Sequence, residues 1–118
     1  MKPDNLLLVS LEARSSVACK LSDFGTTRDV NRHASEMRTT KGIGTPLYMA
    51  PEVLDGEIYD RSADVYSFSL IMFVVFAETL PFVDMEFVGH PWEFAAAIRK
   101  GRRPVLNPDW SEPIKSMM

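Results

Sequence analysis

The sequence predicts a single α+β domain that is mainly α, in which a β-hairpin and a long loop pack on a helical bundle. Its 118 residues are enough for one domain and too few for two. Two short apolar runs, at residues 6–10 and 17–21, flank a polar turn and indicate the hairpin. The stretch 65–77 is apolar except for two serines and a tyrosine hydroxyl, which indicates a helix buried in the core.

The residues around the apolar stretch predict where the helices begin and end. Pro51 can open a short helix because its missing N–H is not needed in a first turn, and Gly56 is suited to end it. Ser62 is the expected N-cap of the long apolar helix. Residues 92–100 and 111–118 predict two further helices, the first with basic residues at its negative end.

A long polar segment separates the hairpin from the first helix. Residues 22–49 are rich in Thr, Arg, Gly and Ser and show no clean periodicity, and a loop of this length is usually functional. The apolar helix is too short to cross a membrane, because a span needs about 20 apolar residues and Asp64 and Glu78 close the stretch well before that. We therefore expect no membrane span in this sequence.

The composition is that of an ordinary globular protein and limits the classes of partner. The 13 basic and 16 acidic residues give a net charge of −3, so no global positive field would draw the chain to nucleic acid. The basic residues at 99–103 are interpreted as a solvated helix end. A single cysteine, Cys19, excludes an internal disulfide and fits a reducing compartment, so a cytoplasmic (intracellular) location is expected.

Short polar motifs occur around the hairpin, the loop and the apolar helix. They are Lys-Pro-Asp-Asn at residues 2–5, Asp-Phe-Gly at 23–25, the run at 44–52 that ends in Ala-Pro-Glu, and Asp-Val-Tyr-Ser-Phe at 64–68. Taken alone, Asn5 and Asp23 would be turn residues and Lys2 a solvated charge. Together and in this order, the motifs are highly specific. Because Asn5 precedes one strand and Asp23 follows its antiparallel partner, both should lie at the same end of the hairpin.

These motifs carry a family resemblance. Over essentially its whole length, the chain resembles the C-terminal lobe of eukaryotic protein kinases. Asn5 matches the last position of the H-R-D-L-x-x-x-N pattern, residues 23–25 match D-F-G, and residues 50–52 match A-P-E. The Lys-Pro-x-Asn form is similar to serine/threonine kinases, and residues 101–104 resemble the tyrosine-kinase-like group. The resemblance implies a partial kinase domain over residues 1–118 that lacks the N-terminal lobe.

The resemblance implies a function and its cofactors. Protein kinases transfer the γ-phosphate of ATP to a protein substrate with the help of Mg²⁺. By resemblance, Asp23 binds one Mg²⁺, Asn5 binds the second, and Lys2 faces the transferred phosphate. Thr45 is similar to the loop threonine that shapes the site for a hydroxyl substrate. Lys2 and Thr45 are therefore the expected catalytic residues, and Lys2, Asn5 and Asp23 are the expected cofactor-binding residues.

Other parts of the kinase pattern fall outside the sequence. The catalytic-base aspartate of the family would stand two positions before Lys2, and the glycine-rich loop over ATP belongs to the missing lobe. The resemblance also implies that Glu52 is buried against a later arginine and that Asp64 braces the backbone of the catalytic loop. We therefore expect the chain by itself to be marginally folded and without kinase activity.

Two functional hypotheses stay open. The chain is part of a serine/threonine-type protein kinase, or it is a non-catalytic kinase remnant that acts as a protein-binding module. Ser35, Thr39 and Thr40 lie where activation loops are phosphorylated, although a plain polar loop explains each of them equally well. A third hypothesis is an unrelated α+β domain, and the four motifs in this order argue strongly against it.

Overall fold

The computed structural model of the chain describes residues 1–26, 46–85 and 91–118. Within them, a two-stranded antiparallel sheet precedes a set of α-helices, which confirms the α+β, mainly α class. The elements are β1 (Leu6–Leu8), β2 (Cys19–Leu21), α1 (Pro51–Asp55), α2 (Ser62–Ala77), α3 (Pro91–Arg99) and α4 (Glu112–Lys115), with 3-10 turns at Pro3–Asn5, Phe24–Thr26 and Pro46–Tyr48. Most of the predicted long loop lies outside the described residues.

The hairpin forms at the two predicted apolar runs, with strands of three residues each. Its register pairs Leu6 with Leu21. Beyond the ladder, the N–H of Val9 donates to the Ala18 carbonyl at 2.8 Å and the next N–H shares the same acceptor. This doubled acceptance ends the regular pairing, so the strands are shorter than the apolar runs that predict them.

Helix α1 begins and ends as its terminal residues predict. Pro51 is its first residue, and Gly56 follows it in the left-handed conformation with a φ of 73°. The N–H of Gly56 donates to carbonyls of the last turn, which would otherwise have no partner. A residue with a Cβ would be strained at this φ, which explains the glycine.

Helix α2 begins one residue earlier than a Ser62 N-cap allows, so that prediction is wrong. Ser62 is the first helical residue, and its N–H donates to the Asp60 carboxylate at 2.7 Å. Hydrogen bonds from the side chain and the backbone of Ser62 lower the pKa of Asp60 below its usual value. An aspartate two residues upstream therefore satisfies a first-turn donor, in place of the serine hydroxyl. The helix ends at Ala77, where Glu78 takes a left-handed φ of 52°.

The apolar core is formed by α2, α3, the Pro46–Tyr48 turn and the segment that precedes α3. Its buried members are Tyr48, Leu70, Ile71, Phe82, Met85, Phe94 and Ile98. Phe82 and Phe94 meet edge to face with ring centroids 5.3 Å apart, which is a favourable aromatic geometry. Met1 and Leu6 pack against the same cluster, so the base of the hairpin is attached to the helical part of the chain.

The basic residues at the end of α3 and directly after it are exposed, as expected for a solvated helix end, and three of them also contact other segments. Arg99 lies 2.7 Å from the Asp55 carboxylate at the end of α1. Arg102 forms an ion pair with Asp84, and the guanidinium of Arg103 lies 5.2 Å from the centroid of a tyrosine ring on α2. These contacts connect the end of α3 to three other parts of the fold. None of the described helices is long and apolar enough to cross a membrane.

Candidate functional site

The hairpin brings the backbones of the two proposed metal-binding residues to one end. The carbonyl of Asn5 accepts a hydrogen bond from the N–H of Ser22 at 2.7 Å and a second one from the Ser22 hydroxyl at 3.1 Å. Asp23 is the next residue along the chain. Ser22 therefore holds the end of one strand against the start of the other. The sequence motifs do not identify Ser22, and only the pairing register of the hairpin could have done so.

Asp23 has a left-handed backbone conformation, and its carboxylate accepts a hydrogen bond from the backbone. It is exposed and adopts a left-handed φ of 58°, which aspartate tolerates better than most residues. One carboxylate oxygen accepts the N–H of Gly25 at 3.3 Å. A Cβ at position 25 would come within 3.2 Å of that oxygen, which is a tight contact. The glycine of the Asp-Phe-Gly triplet therefore leaves room for the carboxylate of its first residue.

Lys2 lies beside an acidic partner that the sequence analysis does not single out. The Lys2 ammonium is 3.5 Å from the Asp4 carboxylate, within the turn that leads into β1. Both groups face solvent to a large degree, so the pair contributes about 0–1 kcal/mol at most. Burial raises the pKa of Tyr48, and the negative charge of Asp4 raises it further. Asp4 thus acts electrostatically on both Lys2 and the core tyrosine that follows the loop.

Asp64 and Glu52, the two acids to which the resemblance assigns structural roles, have different surroundings. The amino group of Met1 is 3.9 Å from the Asp64 carboxylate, so the first turn of α2 contacts the segment that carries Lys2. Glu52 is half-buried, and no cation among the described residues forms an ion pair with it. Burial raises the pKa of Tyr66, and the charge of Glu52 also raises it while nearby Arg103 opposes the shift.

The remaining predicted site residue and the candidate phosphorylation sites belong to the long loop. Thr45 lies outside the described residues, and so do Ser35, Thr39 and Thr40. The turn Pro46–Tyr48 begins directly after Thr45 in the sequence and leads into α1.

The donor atoms at the hairpin end suit Mg²⁺, with a restriction on how it would bind. A carboxylate and an amide oxygen are hard ligands of the kind that Mg²⁺ prefers. In the part of the chain that the structure describes, no three His, Cys, Asp or Glu side chains converge as a metal site. Asn5 and Asp23 would therefore supply only some of the six ligands, and phosphate oxygens and water would supply the others.

Comparison with known proteins defines the class to which this fold and these motifs belong. A family profile described as "Protein kinase domain" matches residues 1–113. That match covers nearly the whole chain, and the chain belongs to the protein kinase domain family.

Curated relatives of the chain carry kinase names. "Probable serine/threonine-protein kinase gdt9" of Dictyostelium discoideum is 36% identical over 88% of the chain. "MAP kinase-activated protein kinase 2" of Homo sapiens is 37% identical over 95% of the chain, and "Mitogen-activated protein kinase kinase kinase 7" of Bos taurus is 35% identical over all of it. The chain spans only 6%, 27% and 18% of the lengths of these three relatives, respectively.

Proposed function

We propose that the chain is part of a domain that transfers the γ-phosphate of ATP to serine or threonine hydroxyls of protein substrates. One observation carries this proposal: the hairpin register places Asn5 directly opposite the residue that precedes Asp23. Family membership and the serine/threonine-kinase names of its relatives support the same reaction. Asp23 and Asn5 are the proposed Mg²⁺ ligands, and Lys2 is the proposed contact to the transferred phosphate.

The chemistry requires these residues to position and neutralise charge. Phosphoryl transfer involves little covalent work by the protein, and bound Mg²⁺ would offset the charge on the phosphate oxygens. The chain's own contribution is preorganisation. Gly25 holds the carboxylate of Asp23, Ser22 holds the backbone of Asn5, and Asp4 lies beside the ammonium of Lys2.

The finer features of the proposal rest on the sequence motifs. Thr45 is the proposed residue that shapes the site for a hydroxyl substrate, on the basis of its place in the motif that ends in Ala-Pro-Glu. The run at 101–104 supports membership of the tyrosine-kinase-like group. Use of ATP and the single cysteine support action inside the cell, in the cytoplasm.

We further propose that these residues act only as part of a complete kinase domain. The 118 residues contain no glycine-rich loop with a following strand lysine to hold ATP. The chain by itself is therefore proposed to lack phosphotransfer activity. Transfer of phosphate from ATP to a peptide by the purified chain, lost on Asp23→Ala, would contradict this statement.

A chimaeric kinase tests the reaction. Residues 1–113 would replace the matching segment of MAP kinase-activated protein kinase 2, so that they are tested within a longer kinase chain. We expect the chimaera to phosphorylate a serine peptide and Asp23→Asn to lower kcat about 100-fold or more, because a charge that stabilises the transition state is lost. Asparagine also tolerates the left-handed backbone at this position.

Asp109→Asn is the matched control, because Asp109 is an exposed aspartate far along the sequence from the hairpin. Its rate should stay within about twofold of the unsubstituted chimaera, since surface substitutions away from a site have small effects. Equal activity of the Asp23→Asn and unsubstituted chimaeras would refute the assignment of Asp23. A folded chimaera with no activity at all would favour the non-catalytic binding module.

A further inference from the structure

A serine is buried in the apolar helix α2. Ser67 is 5% exposed, and its neighbours on the helix are mostly apolar. Its hydroxyl lies 2.8 Å from the carbonyl oxygen of Tyr48 and 3.0 Å from that of Ala63 in the preceding helical turn. Burying a hydroxyl is unfavourable unless it is hydrogen-bonded, so these two carbonyls account for the presence of a serine here.

The Tyr48 carbonyl belongs to a segment that leads from the proposed substrate loop. The turn Pro46–Tyr48 is closed by a hydrogen bond from the N–H of Met49 to the Pro46 carbonyl at 3.1 Å. Thr45 stands directly before this turn, and α1 begins shortly after it. The side chain of Tyr48 is buried in the core cluster, so the turn is attached to the core through both its backbone and its side chain.

A second serine on the same helix provides a contrast. Ser69 stands two residues after Ser67, and its hydroxyl donates to the Tyr66 carbonyl at 2.8 Å. That hydrogen bond stays inside α2 and connects it to no other segment. Of these two serines, only Ser67 joins the helix to the turn.

We propose that Ser67 is a positioning residue that fixes the Pro46–Tyr48 turn and, through it, the position of the protein substrate. The inference rests on the proposed kinase function, because it assigns the residues around Thr45 to substrate binding. Ser67 itself is buried and would not touch the substrate. Without its hydroxyl, the Tyr48 carbonyl would lose a buried donor, and the turn would open more often.

Amide exchange in the full 118-residue chain tests the structural part of this proposal without any kinase assay. We expect Ser67→Ala to accelerate exchange of the Met49 N–H about fivefold, which is the usual net effect of one hydrogen bond. The Leu54 N–H, bonded to the Ala50 carbonyl within 3.0 Å in α1, should exchange as before. Ser69→Ala is the control and should change neither rate.

Ser67→Thr keeps the hydroxyl and should restore slow exchange at Met49. Equal Met49 exchange in the Ser67→Ala and unsubstituted chains would overturn the proposal. Absence of Met49 protection in the unsubstituted chain would also overturn it, because the turn would then not be fixed.

Kinetics of the chimaeric kinase test the functional part. Ser67→Ala should raise the KM for the peptide substrate about fivefold, leave the KM for ATP unchanged and lower kcat less than twofold. A fivefold fall in kcat with an unchanged KM for the peptide would overturn the positioning role. An inactive chimaera would instead count against the proposed function, and the exchange result would still decide whether Ser67 fixes the turn.

Discussion

The hairpin and the helical part of the chain are stabilised in different ways. The strands are largely exposed, with Leu7 at 54% and Leu8 at 66% exposure, and backbone pairing holds them together. In contrast, the helical part encloses a cluster of nearly fully buried side chains, among them Phe82 and Ile98. The proposed ligands lie on the hairpin, and the apolar core lies under the helices.

The residues that stabilise the fold and the residues proposed to bind Mg²⁺ therefore lie in different regions. Hydrophobic burial dominates the free energy of folding, and it is concentrated around α2 and α3. The hairpin contributes polar groups whose positions depend on a few hydrogen bonds at the Asn5 end. Substitutions in the two regions should therefore have different consequences.

The largest expected effect is on the core side. Ile98 is 1% exposed, and Ile98→Ala should lower the free energy of unfolding by about 2–5 kcal/mol because it leaves a cavity. Ile58 is the matched control, since it is 63% exposed and the same substitution there should cost well under about 1 kcal/mol. Chemical denaturation of the purified chains measures both values. Similar losses for the two substitutions would mean that the helical part has no dominant core.

The sequence predicts the local elements because their signals are local. The backbone preferences of a proline and a glycine set the two ends of α1. The apolar stretch predicts α2 from its own composition, without reference to other segments. Ser62 shows the limit of such reasoning. Asp60 competes for the same first-turn N–H, and the choice between them depends on the path of the chain before the helix.

The candidate site shows the same limit. Antiparallel pairing alone predicts that Asn5 and Asp23 lie at one end of the hairpin. The contact between Ser22 and the Asn5 carbonyl needs the register of the strands, and the ion pair of Arg102 with Asp84 needs the tertiary fold. A short motif specifies neither the register of two strands nor a tertiary contact. Only the structure therefore shows that Ser22 contacts Asn5 and that Arg102 pairs with Asp84.

The next expected effect is on the hairpin side. Ser22→Ala removes the hydroxyl bond to the Asn5 carbonyl but keeps the N–H bond, so it should lower the free energy of unfolding by about 0.5–1.5 kcal/mol. Ser22→Thr should restore most of the loss. The control is Ser116→Ala, which removes a hydroxyl-to-carbonyl bond of 2.9 Å at an exposed position and should cost less. Denaturation measures the stabilities.

A sharper measurement follows the strand ends directly. Exchange of the Ser22 N–H should accelerate in Ser22→Ala and stay unchanged in Ser116→Ala, because only the first loosens the hairpin end. A Ser22→Ala chain with unchanged stability and unchanged exchange would show that the ladder alone holds Asn5 in place.

The smallest expected effect concerns a buried polar group in the helical part. The buried Tyr66 hydroxyl has no hydrogen-bond partner in the part of the chain that the structure describes. Tyr66→Phe removes this unsatisfied group and keeps a ring for Arg103 to contact, so the free energy of unfolding should rise by up to about 1 kcal/mol at pH 7. Tyr59→Phe is the control and should change the stability little.

The pH dependence separates Tyr66→Phe from a general packing effect. Burial raises the pKa of Tyr66 in the folded chain above that of the unfolded chain, which is about 10. Ionisation of the phenol is therefore harder in the folded chain than in the unfolded chain, so the stability of the unsubstituted chain is unaffected by this group below about pH 10 and falls as the pH rises from there through the folded pKa. The gain from Tyr66→Phe should grow over this alkaline range in denaturation experiments. A constant difference between Tyr66→Phe and the unsubstituted chain from pH 7 to 11 would mean that the phenol is not buried as described.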